Sequence, residues 1–293
     1  MIPIVFSTDH NYVMPTGVTI ASLLLYRGDV NYHIYILSAP DVNSADREML
    51  SAQVSSLSSD SIIEFINMEY KFKNGFEVRG ISKACYYRLM IPWLIPDVDK
   101  IIYCDVDITF LCSLKELYEI DLGDNLVAGS SPYKWSGMKR YFQKIGLDHR
   151  HYINSGVLVI NSRLQREIGL DKEYDRLSRK KFLYQDQDII NLACKRRIYY
   201  FDTRFNLLPQ LFGKEERFSK DVVIHYAGDK PWKDFTYAWV PWWDAYNRSV
   251  FKDNNFNIEV SKNILDIKIQ LRNILRRLKG KGQQFKAKLG LYK

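Results

Sequence analysis

The sequence predicts an α/β protein whose sheet is mixed, mostly parallel, and flanked by helices. Short apolar runs with strand character alternate with segments whose apolar residues recur at helical spacing. Polar residues stand directly after several of the strand-like runs. Ligands of open α/β sheets gather beyond the carboxyl ends of the strands, so this second observation also predicts which edge of the sheet carries the functional site.

The predicted elements follow one another in that alternating order from the N-terminus. The expected helices lie at residues 15–26, 44–57 and 82–93. The expected strands lie at residues 2–8, 33–37, 62–66, 101–103, 155–160 and 222–226. An aromatic-rich stretch at 232–246 is expected to pack onto the main domain. Neither a repeat nor a linker interrupts residues 1–250, so these are predicted to form one domain, and residues 251–293 a separate tail.

The positive charge of this 293-residue chain is unevenly distributed. The formal net charge is +8, and ten basic residues and one acidic residue fall between Lys262 and Lys293. That segment therefore carries +9, and residues 1–261 carry −1. Because the main body lacks an excess of positive charge, no nucleic-acid partner is expected for it.

The tail is predicted to form a basic amphipathic helix. Such helices lie in the headgroup region of anionic membranes, which makes a membrane surface the expected partner. A helix docked on its own domain, a calmodulin-like partner and a nucleic acid are the alternatives. The apolar positions are Ile264, Ile267, Leu271, Ile274, Leu275 and Leu278, and Lys268, Arg272, Arg276 and Lys279 occupy the other faces.

The cysteines and the N-terminus indicate the compartment. The cysteines show no CxxC spacing and lie in apolar surroundings, which is typical of reduced core residues in a cytosolic protein. The N-terminus lacks the charged region and cleavage site of a signal peptide, and no apolar stretch approaches the ~20 residues of a membrane span. Secretion and a transmembrane anchor are therefore not expected. The four cysteines are Cys85, Cys104, Cys112 and Cys194.

The segment at 101–107 delivers two aspartates, Asp105 and Asp107, directly after a strand-like apolar run. Two carboxylates this close repel each other, and one takes up a proton unless a cation lies between them. Oxygen ligands suit hard divalent ions such as Mg²⁺ or Mn²⁺, which neutralise phosphate oxygens. The pair therefore predicts a metal site that binds a diphosphate, and a turn or helix cap after a strand is the alternative.

Four motifs, in this order along residues 1–250, resemble the family-8 glycosyltransferases, retaining enzymes with the GT-A nucleotide-diphospho-sugar transferase fold. Each motif by itself is weak, and their common order carries the resemblance. The motifs are Ile4-Val-Phe-Ser-Thr-Asp-His-Asn-Tyr12, Tyr103-Cys-Asp-Val-Asp107, Tyr152-Ile-Asn-Ser-Gly-Val-Leu-Val-Ile-Asn161 followed by Asp186-Gln-Asp188, and His225-Tyr-Ala-Gly-Asp-Lys-Pro-Trp232.

The resemblance implies a metal centre and a donor site for a UDP-sugar. Asp105, Asp107 and His225 would ligate Mn²⁺ or Mg²⁺, because imidazole and carboxylates suit such ions and the metal stabilises the departing UDP. The positions that match donor-binding residues of the family are Thr8, Asp9, Asn11, Tyr12, Arg88, Asp105, Val106, Asp107, Asn154, Asp188, Gly228 and Lys230.

The residue types fit these implied roles. The Asp9 carboxylate can accept the N3–H of uracil, and Asn11 matches a position that holds uracil and ribose. Arg88 can bond two oxygens of the donor at once, and Lys230 offers a point charge to phosphates. Gly228 permits close approach of the backbone.

Each of these positions also has a plainer interpretation. His225 could be a core histidine, Lys230 a solvated cation, and Arg88 a member of a surface ion pair. Asp9 could cap the helix expected near Pro15. The acids of Asp186-Gln-Asp188 could cap a helix at 189–194, and Asp188 is the acid for which a structural role is the stronger alternative.

Retention of configuration normally indicates a carboxylate nucleophile. The resemblance instead implies that Gln187, a poor nucleophile, lies beside the anomeric carbon, with Asp186 next to it. Front-face attack by the acceptor hydroxyl is then favoured, with Asp186 stabilising positive charge, and a double displacement through Asp186 stays open. Ser130 and Ser131 stand where the galactosyltransferases of the family have an acid, which leaves the sugar undetermined.

The expected function is transfer of galactose or glucose from a UDP-hexose to a glycan or glycolipid acceptor, such as a lipopolysaccharide or capsule precursor. The expected location is the cytoplasm, peripheral on the inner face of the plasma membrane. A non-catalytic sugar-nucleotide-binding protein and a nucleotidyltransferase are the alternatives, although no GxxxxGK[ST] phosphate loop is present in the sequence.

Overall fold

The fold is described from a computed structural model that covers residues 1–68, 83–131, 139–209, 221–233, 236 and 238–253. Most of the predicted tail lies outside these residues, and its helix stays a prediction. Ser82 of the third predicted helix and Phe235 and Tyr237 of the aromatic-rich stretch also lie outside them.

A seven-stranded mixed sheet forms the centre of the described domain. The described strands are β1 (Ile2–Thr8), β2 (Tyr32–Ser38), β3 (Ile62–Asn67), β4 (Lys100–Cys104), β5 (Ile108–Phe110), β6 (Val127–Gly129), β7 (Val157–Asn161), β8 (Ile198–Tyr200) and β9 (Val223–His225). The strand order is β3-β2-β1-β4-β7-β6-β8. Four of the six pairings are parallel, and β7 runs antiparallel to both β4 and β6. The mixed, mostly parallel sheet expected from the sequence is thereby confirmed.

The reversal at β7 decides which residues meet at the site edge. Cys104, at the end of β4, pairs with Val157, at the start of β7. The segment that enters β7 therefore lies at the edge where β4 ends, and the Asp105 amide donates to the Gly156 carbonyl at 2.8 Å. Residues 154–156 are thus neighbours of the Asp-X-Asp pair, although they precede their strand.

A second, two-stranded sheet brings His225 to the same place. β5 pairs antiparallel with β9, and Ile108 lies opposite His225. The Tyr226 amide donates to the Asp107 carbonyl at 2.9 Å. This pairing holds residues more than a hundred positions apart in the sequence side by side.

Helices cover both faces of the main sheet, as expected where strands are largely apolar. The described helices are α1 (Val13–Leu25), α2 (Ser44–Leu57), α3 (Ile91–Leu94), α4 (Lys115–Glu119), α5 (Lys139–Lys144), α6 (Ser162–Glu167), α7 (Asp171–Ser178), α8 (Gln185–Ala193) and α9 (Trp239–Asn247). Ile4 of β1 packs with Leu23 of α1 and Leu50 of α2. The next residue, Val5, belongs to the opposite core with Ile189 of α8, as the alternation of strand side chains requires.

The aromatic-rich stretch packs onto the main domain, as expected. Trp242 is fully buried, and its ring stacks with that of Tyr246 at a centroid distance of 5.6 Å. Both residues share a core cluster with Val18 of α1 and Ile224 of β9. The segment therefore closes the domain beside the second sheet.

Two features differ from the expectations. The segment expected to be one helix at 82–93 is a 3-10 helix, Lys83–Met90, followed by the short α3, which has Pro92 in its first turn. The strands β5, β6 and β8 were not expected, because three residues are too few to show a period.

The four cysteines form no disulfide, as expected; three are buried and Cys112 is half-buried. Within the described residues no helix has both the length and the apolar character needed to cross a bilayer.

Candidate active site

The three expected metal ligands lie together. Asp105, Asp107 and His225 each offer a ligand atom, and these atoms lie within 4.8 Å of one another. His225 Nε2 is 3.3 Å from Asp107 Oδ1 and 3.6 Å from Asp105 Oδ2. Among the described residues no hydrogen bond reaches the buried Asp107 Oδ1. Because a buried carboxylate oxygen without a partner is costly, this donor set fits a divalent cation.

His225 is held rigidly for such a role. It lies at the end of β9, is 2% exposed, and its Nδ1 is 2.9 Å from Asn206 Oδ1. Gly156 lies against the ring, where a Cβ would come within 2.1 Å of His225 Cε1. Burial alone would fit a histidine that only fills the core. The second ring nitrogen of His225, however, faces two carboxylates, which a role in the core does not explain.

Lys230 pairs with the second aspartate. Its Nζ contacts Asp107 Oδ2 and donates to the Tyr226 carbonyl at 2.7 Å. Burial alone would raise the pKa of Asp107, but the positive charge of Lys230 and the His225 ring outweigh it and hold the pKa below its ordinary value. Lys230 is thus paired with Asp107 and not simply solvated, and its role toward a donor stays a prediction.

Arg88 joins the metal carboxylates to the acids of α8. Its Nη2 lies 2.8 Å from Asp105 Oδ1, its Nε lies 3.1 Å from Asp186 Oδ2, and its Nη1 donates to the Ser155 carbonyl at 2.8 Å. Burial opposes the charge, but the two carboxylates outweigh it and raise the pKa of Arg88. The guanidinium also stacks over the Tyr103 ring, 4.5 Å from its centroid. Arg88 is 8% exposed, so the surface ion pair considered for it is wrong.

Asp186 lies on the first turn of α8 and faces Arg88. It is 5% exposed. Burial raises the pKa of Asp186 to about 6, with the Arg88 charge opposing the shift and Asp105 adding to it. The carboxylate is thus ionised above that pH and placed beside a cation.

Gln187 is fixed by three hydrogen bonds. Its Oε1 accepts from Asn154 Nδ2 and from the Ser155 amide, both at 3.1 Å. Its Nε2 donates to the Tyr152 hydroxyl at 3.1 Å. The residues expected to bind the sugar, Asn154, Asp186 and Gln187, are therefore in one network at the start of β7 and α8.

Asp188 lies behind Gln187. Its Oδ1 accepts from the Tyr152 hydroxyl at 2.6 Å, and its Oδ2 accepts from the Tyr184 amide at 2.8 Å and from the Tyr141 hydroxyl. It is fully buried. These contacts hold the start of α8, as the structural alternative proposed, and a direct contact with the donor stays a prediction.

The residues expected at the nucleotide base lie at the end of β1. Asp9 caps the short 3-10 helix His10–Tyr12 rather than α1, and its Oδ1 accepts from the Tyr12 amide at 3.1 Å. Burial and then the charge of Asp41 raise the pKa of Asp9. The Thr8 hydroxyl is buried and bonded to Thr16, and Asn11 is exposed. Their roles toward a base stay predictions.

Tyr12 contacts Trp232 and senses the charges of the Asp107–Lys230 pair. Its ring meets Trp232 edge-on at a centroid distance of 6.2 Å. Burial raises the pKa of Tyr12, and the charges of Lys230 and Asp107 also act on it. The segment expected to bind the base and the expected metal carboxylates therefore lie near each other.

Three further positions complete the expected set. The Val106 carbonyl accepts from the Thr19 hydroxyl at 2.8 Å, which anchors the Asp-X-Asp turn to α1. Gly228 is exposed at the cleft. Ser130 is fully buried beside Asn154, whose backbone amide donates to the Ser130 carbonyl at 3.0 Å. The Ser130 hydroxyl has no hydrogen-bond partner among the described residues.

Sequence reasoning missed several residues of this network. Tyr152, Ser155 and Gly156 stand inside the third motif, so the motif itself was the signal that could have found them. Asn206 stands in no motif, and no local pattern distinguishes it. It is fully buried and touches both His225 and Asn154.

Comparison with known proteins agrees with this geometry. Residues 3–236 match the model of glycosyl transferase family 8. A putative glycosyltransferase of Haemophilus influenzae is 30% identical over 77% of this chain and 71% of its own length. The lipopolysaccharide glucosyltransferase WaaO of Escherichia coli is 25% identical over 87% of this chain and 82% of its own. The crystal structure of the galactosyltransferase LgtC with donor and acceptor sugar analogues is similar with a TM-score of 0.73 and 27% identity, over 87% of this chain and 99% of that one.

The match covers the β1 end, the Asp-X-Asp turn, the β7 and α8 network and His225, which are the parts that meet at the site edge. The resemblance inferred from the four motifs, the GT-A fold and the enzyme class are thereby confirmed. The chain is a glycosyltransferase and belongs to glycosyltransferase family 8.

Proposed function

We propose that this chain transfers a hexose, galactose or glucose, from a UDP-sugar to a lipopolysaccharide-type glycan or glycolipid, with retention and with a divalent metal, Mn²⁺ or Mg²⁺. The observation that carries the proposal is the link through Arg88. One guanidinium bonds a metal carboxylate, Asp105, and an acid of the sugar network, Asp186. A site that only bound a metal would not need the contact between Arg88 and Asp186.

The choice of donor rests on two kinds of support. A relative is named as a glucosyltransferase and a solved structure as a galactosyltransferase, so the class of donor is a hexose and its identity is open. Ser130 is fully buried next to Asn154, whose amide donates to the Ser130 carbonyl. The neutral hydroxyl of Ser130 lacks the charge that an acid would bring to this position.

The residues of this chain divide the work between the two ends of the donor. Asp105, Asp107 and His225 would hold the metal, which supplies Lewis-acid stabilisation of the diphosphate leaving group. Lys230, which contacts Asp107, offers its ammonium charge to phosphate oxygens. Asp9 and Tyr12 are proposed to contact the uracil base, with Thr8, Asn11, Val106 and Gly228 forming the surrounding backbone and side-chain surface.

At the sugar end, the geometry supports front-face attack. Gln187 Oε1 already accepts two hydrogen bonds, from Asn154 and the Ser155 amide, so both of its lone pairs are engaged. An amide oxygen held in this way is a weak nucleophile. Asp186 is ionised above about pH 6 and can stabilise the positive charge that develops on the sugar ring. The acceptor hydroxyl would then attack the face from which UDP departs.

We further propose that residues 1–250 are the catalytic domain and residues 251–293 attach the protein to the inner face of the plasma membrane. The support is the charge distribution, since residues 262–293 carry +9 and residues 1–261 carry −1. A basic amphipathic tail would bring the cleft to a glycolipid acceptor in the same membrane.

The test is release of UDP or GDP from a panel of sugar nucleotides, with Mn²⁺ or with EDTA, for the wild type and Asp107→Asn. We expect release from one UDP-hexose, lost with EDTA and reduced at least a hundredfold by Asp107→Asn. The control is Asp60→Asn, an exposed aspartate before β3 at the opposite edge of the sheet, which should behave as wild type. Release that persists in EDTA would contradict metal dependence, and binding of UDP-sugars without turnover, even with added glycolipid, would favour a binding protein.

A further inference from the structure

We propose that Asn206 is a positioning residue that sets the tautomer of His225 and ties this metal ligand to the sugar-binding amide of Asn154. The inference deepens the proposed function, because it rests on His225 being a metal ligand. Asn206 is fully buried, and its side chain lies between these two residues. Its Oδ1 is 2.9 Å from His225 Nδ1, and its Nδ2 donates to Asn154 Oδ1 at 2.9 Å.

The chain brings Asn206 to this place through the second sheet. Asn206 is the last residue of the 3-10 helix Thr203–Asn206. The next residue, Leu207, donates its amide to the Val223 carbonyl at 2.8 Å and accepts from the His225 amide at 2.9 Å. Backbone pairing therefore fixes the separation of Asn206 from His225, independently of either side chain.

The polarity of the contacts can be derived from one backbone amide. The N–H of Gly156 donates to the Asn154 side chain at 2.9 Å, so the atom of Asn154 that it meets must be the oxygen. The Asn206 atom facing that oxygen must then be its NH₂ group, because two oxygens would repel. The opposite atom of Asn206, which faces His225 Nδ1, is therefore an oxygen, and His225 Nδ1 must carry the proton.

A second backbone amide gives the same polarity at the other end. The N–H of Ser155 donates to the Gln187 side chain at 3.1 Å, which makes that atom an oxygen. The same oxygen accepts from Asn154 at 3.1 Å, so the Asn154 atom there must be nitrogen. Two unambiguous donors thus agree on the orientation of Asn154, and through it on that of Asn206.

The consequence falls on the other ring nitrogen. With the proton on Nδ1, His225 Nε2 presents a lone pair, and this atom faces Asp107 Oδ1 at 3.3 Å and Asp105 Oδ2 at 3.6 Å. Metal-ligating histidines commonly donate their second N–H to a fixed acceptor, which sets the ring and its tautomer. Asn206 supplies that acceptor here and at the same time orients an amide of the sugar network.

Two substitutions test whether Asn206 positions its neighbours or only fills space in the core. Asn206→Asp keeps an oxygen toward His225 but places a second acceptor against Asn154 Oδ1. Asn206→Leu keeps the branching and the number of side-chain heavy atoms and removes both contacts. Gln53→Met is the control, because Gln53 is also a fully buried amide but belongs to α2 and bonds the Val250 amide. A residue that only filled space would affect stability alone.

The first measurement needs no metal. Nitrogen NMR of ¹⁵N-histidine-labelled protein, at a pH where imidazole is neutral, reports which ring nitrogen of His225 is protonated, with His225→Gln to assign the signal. We expect the Nδ1-protonated form in the wild type, in Asn206→Asp and in Gln53→Met, and a mixture of tautomers in Asn206→Leu. A wild-type His225 protonated on Nε2 would overturn the proposal, whatever the activity.

The second measurement is Mn²⁺ affinity by calorimetry or electron paramagnetic resonance, with unfolding curves to confirm that each variant is folded. Asn206→Leu should bind Mn²⁺ roughly 10- to 100-fold more weakly, as loss of such a partner typically does. Asn206→Asp should stay within about threefold of wild type for Mn²⁺ but lose at least tenfold in UDP-sugar turnover, because Asn154 is no longer held. Equal Mn²⁺ affinity of folded Asn206→Leu and wild type would overturn the inference. A wild type that binds no Mn²⁺ but shows the expected tautomer would contradict the metal in the proposed function and leave the positioning of His225 supported.

Discussion

Arg88 and Asp105 form a buried ion pair in which Arg88 Nη2 lies 2.8 Å from Asp105 Oδ1. Both residues match donor-site positions of the family, yet they contact each other as well as the groups that would meet the donor. Tyr103 supports the pair twice, because its hydroxyl donates to Asp105 Oδ1 at 2.8 Å and its ring lies under the guanidinium. Through Arg88 the pair links the expected metal ligands to Asp186, one of the residues expected to bind the sugar.

Replacing Arg88 by lysine should impair both folding and catalysis. An ammonium group cannot bond Asp105, Asp186 and the Ser155 carbonyl in one plane, so one buried carboxylate would lose its partner. We expect Arg88→Lys to lower the free energy of unfolding by about 3 kcal/mol, measured by urea denaturation, and to reduce UDP release at least a hundredfold. Arg179→Lys, at an exposed pair with Asp175, should cost less than about 1 kcal/mol. Equal effects of the two substitutions would contradict this role for Arg88.

Asp186→Asn should stabilise the protein while it lowers activity. The pKa of Asp186 is raised from 3.8 to about 6, so its charge is disfavoured in the folded state. Such a group lowers stability as the pH rises from about 4 to 6, and the full cost persists above pH 6. The neutral amide removes that cost, and we expect a gain of roughly 1 to 3 kcal/mol at neutral pH without donor or metal, which fades as the pH falls from about 6 to about 4.

Thermal unfolding of wild type and Asp186→Asn across this pH range gives the comparison. UDP release should fall at least tenfold in the variant, because the charge that stabilises the sugar cation is lost. A difference in stability that does not vary with pH would show that the titration of Asp186 is not its source.

Gly156→Ala should displace the imidazole of His225. A Cβ at this position would lie 2.1 Å from His225 Cε1, and the ring cannot give way without leaving the carboxylates. We expect Mn²⁺ affinity to fall at least tenfold, measured by calorimetry. Gly17→Ala is the matched control, because its Cβ would meet Phe251 at 2.0 Å, away from the metal ligands. The control should lose stability and keep Mn²⁺ affinity, and unchanged affinity in Gly156→Ala would contradict the close packing.

Deletion of residues 262–293 should release the protein from anionic membranes without loss of UDP-sugar hydrolysis. Each basic residue near an anionic surface contributes ~1 kcal/mol, and the deletion removes ten of them. Cosedimentation with phosphatidylserine-containing vesicles measures the effect, and vesicles of phosphatidylcholine alone are the control. Unchanged binding to the anionic vesicles would exclude the tail as the attachment.

Much of the frame of the protein could be predicted because it depends on local patterns. The apolar runs at β1 to β4 and β7 and the helical spacing of α1 and α2 are each long enough to show their period. β5, β6 and β8 have three residues each, too few for any period, whereas β9, equally short, lies within the longer apolar run expected as a strand at 222–226. The third predicted helix was assigned correctly as helical but its geometry differs, since it is a 3-10 helix before α3.

The candidate site divides in the same way. Asp105, Asp107, His225, Gln187 and the other motif residues were identified from the order of the motifs in the sequence, and Arg88 from its match to a position of the family. Most of them meet in one network. Asp188 shows the limit of that reasoning, because the structure engages its carboxylate with Tyr141 and Tyr152. Which motif residue faces the cleft and which stands behind it depends on how α8 is oriented.

The sequence by itself determined the alternation of strands and helices, the acid pair at the end of β4 and the separate basic tail, because each is a local pattern of residue types. Only the tertiary structure decided that β7 runs against β4 and that β9 pairs with β5. Those long-range pairings bring Asn154 and Asn206 to His225. These pairings join distant segments through backbone hydrogen bonds, which nearly every residue type can form. A local pattern of side chains therefore does not predict them.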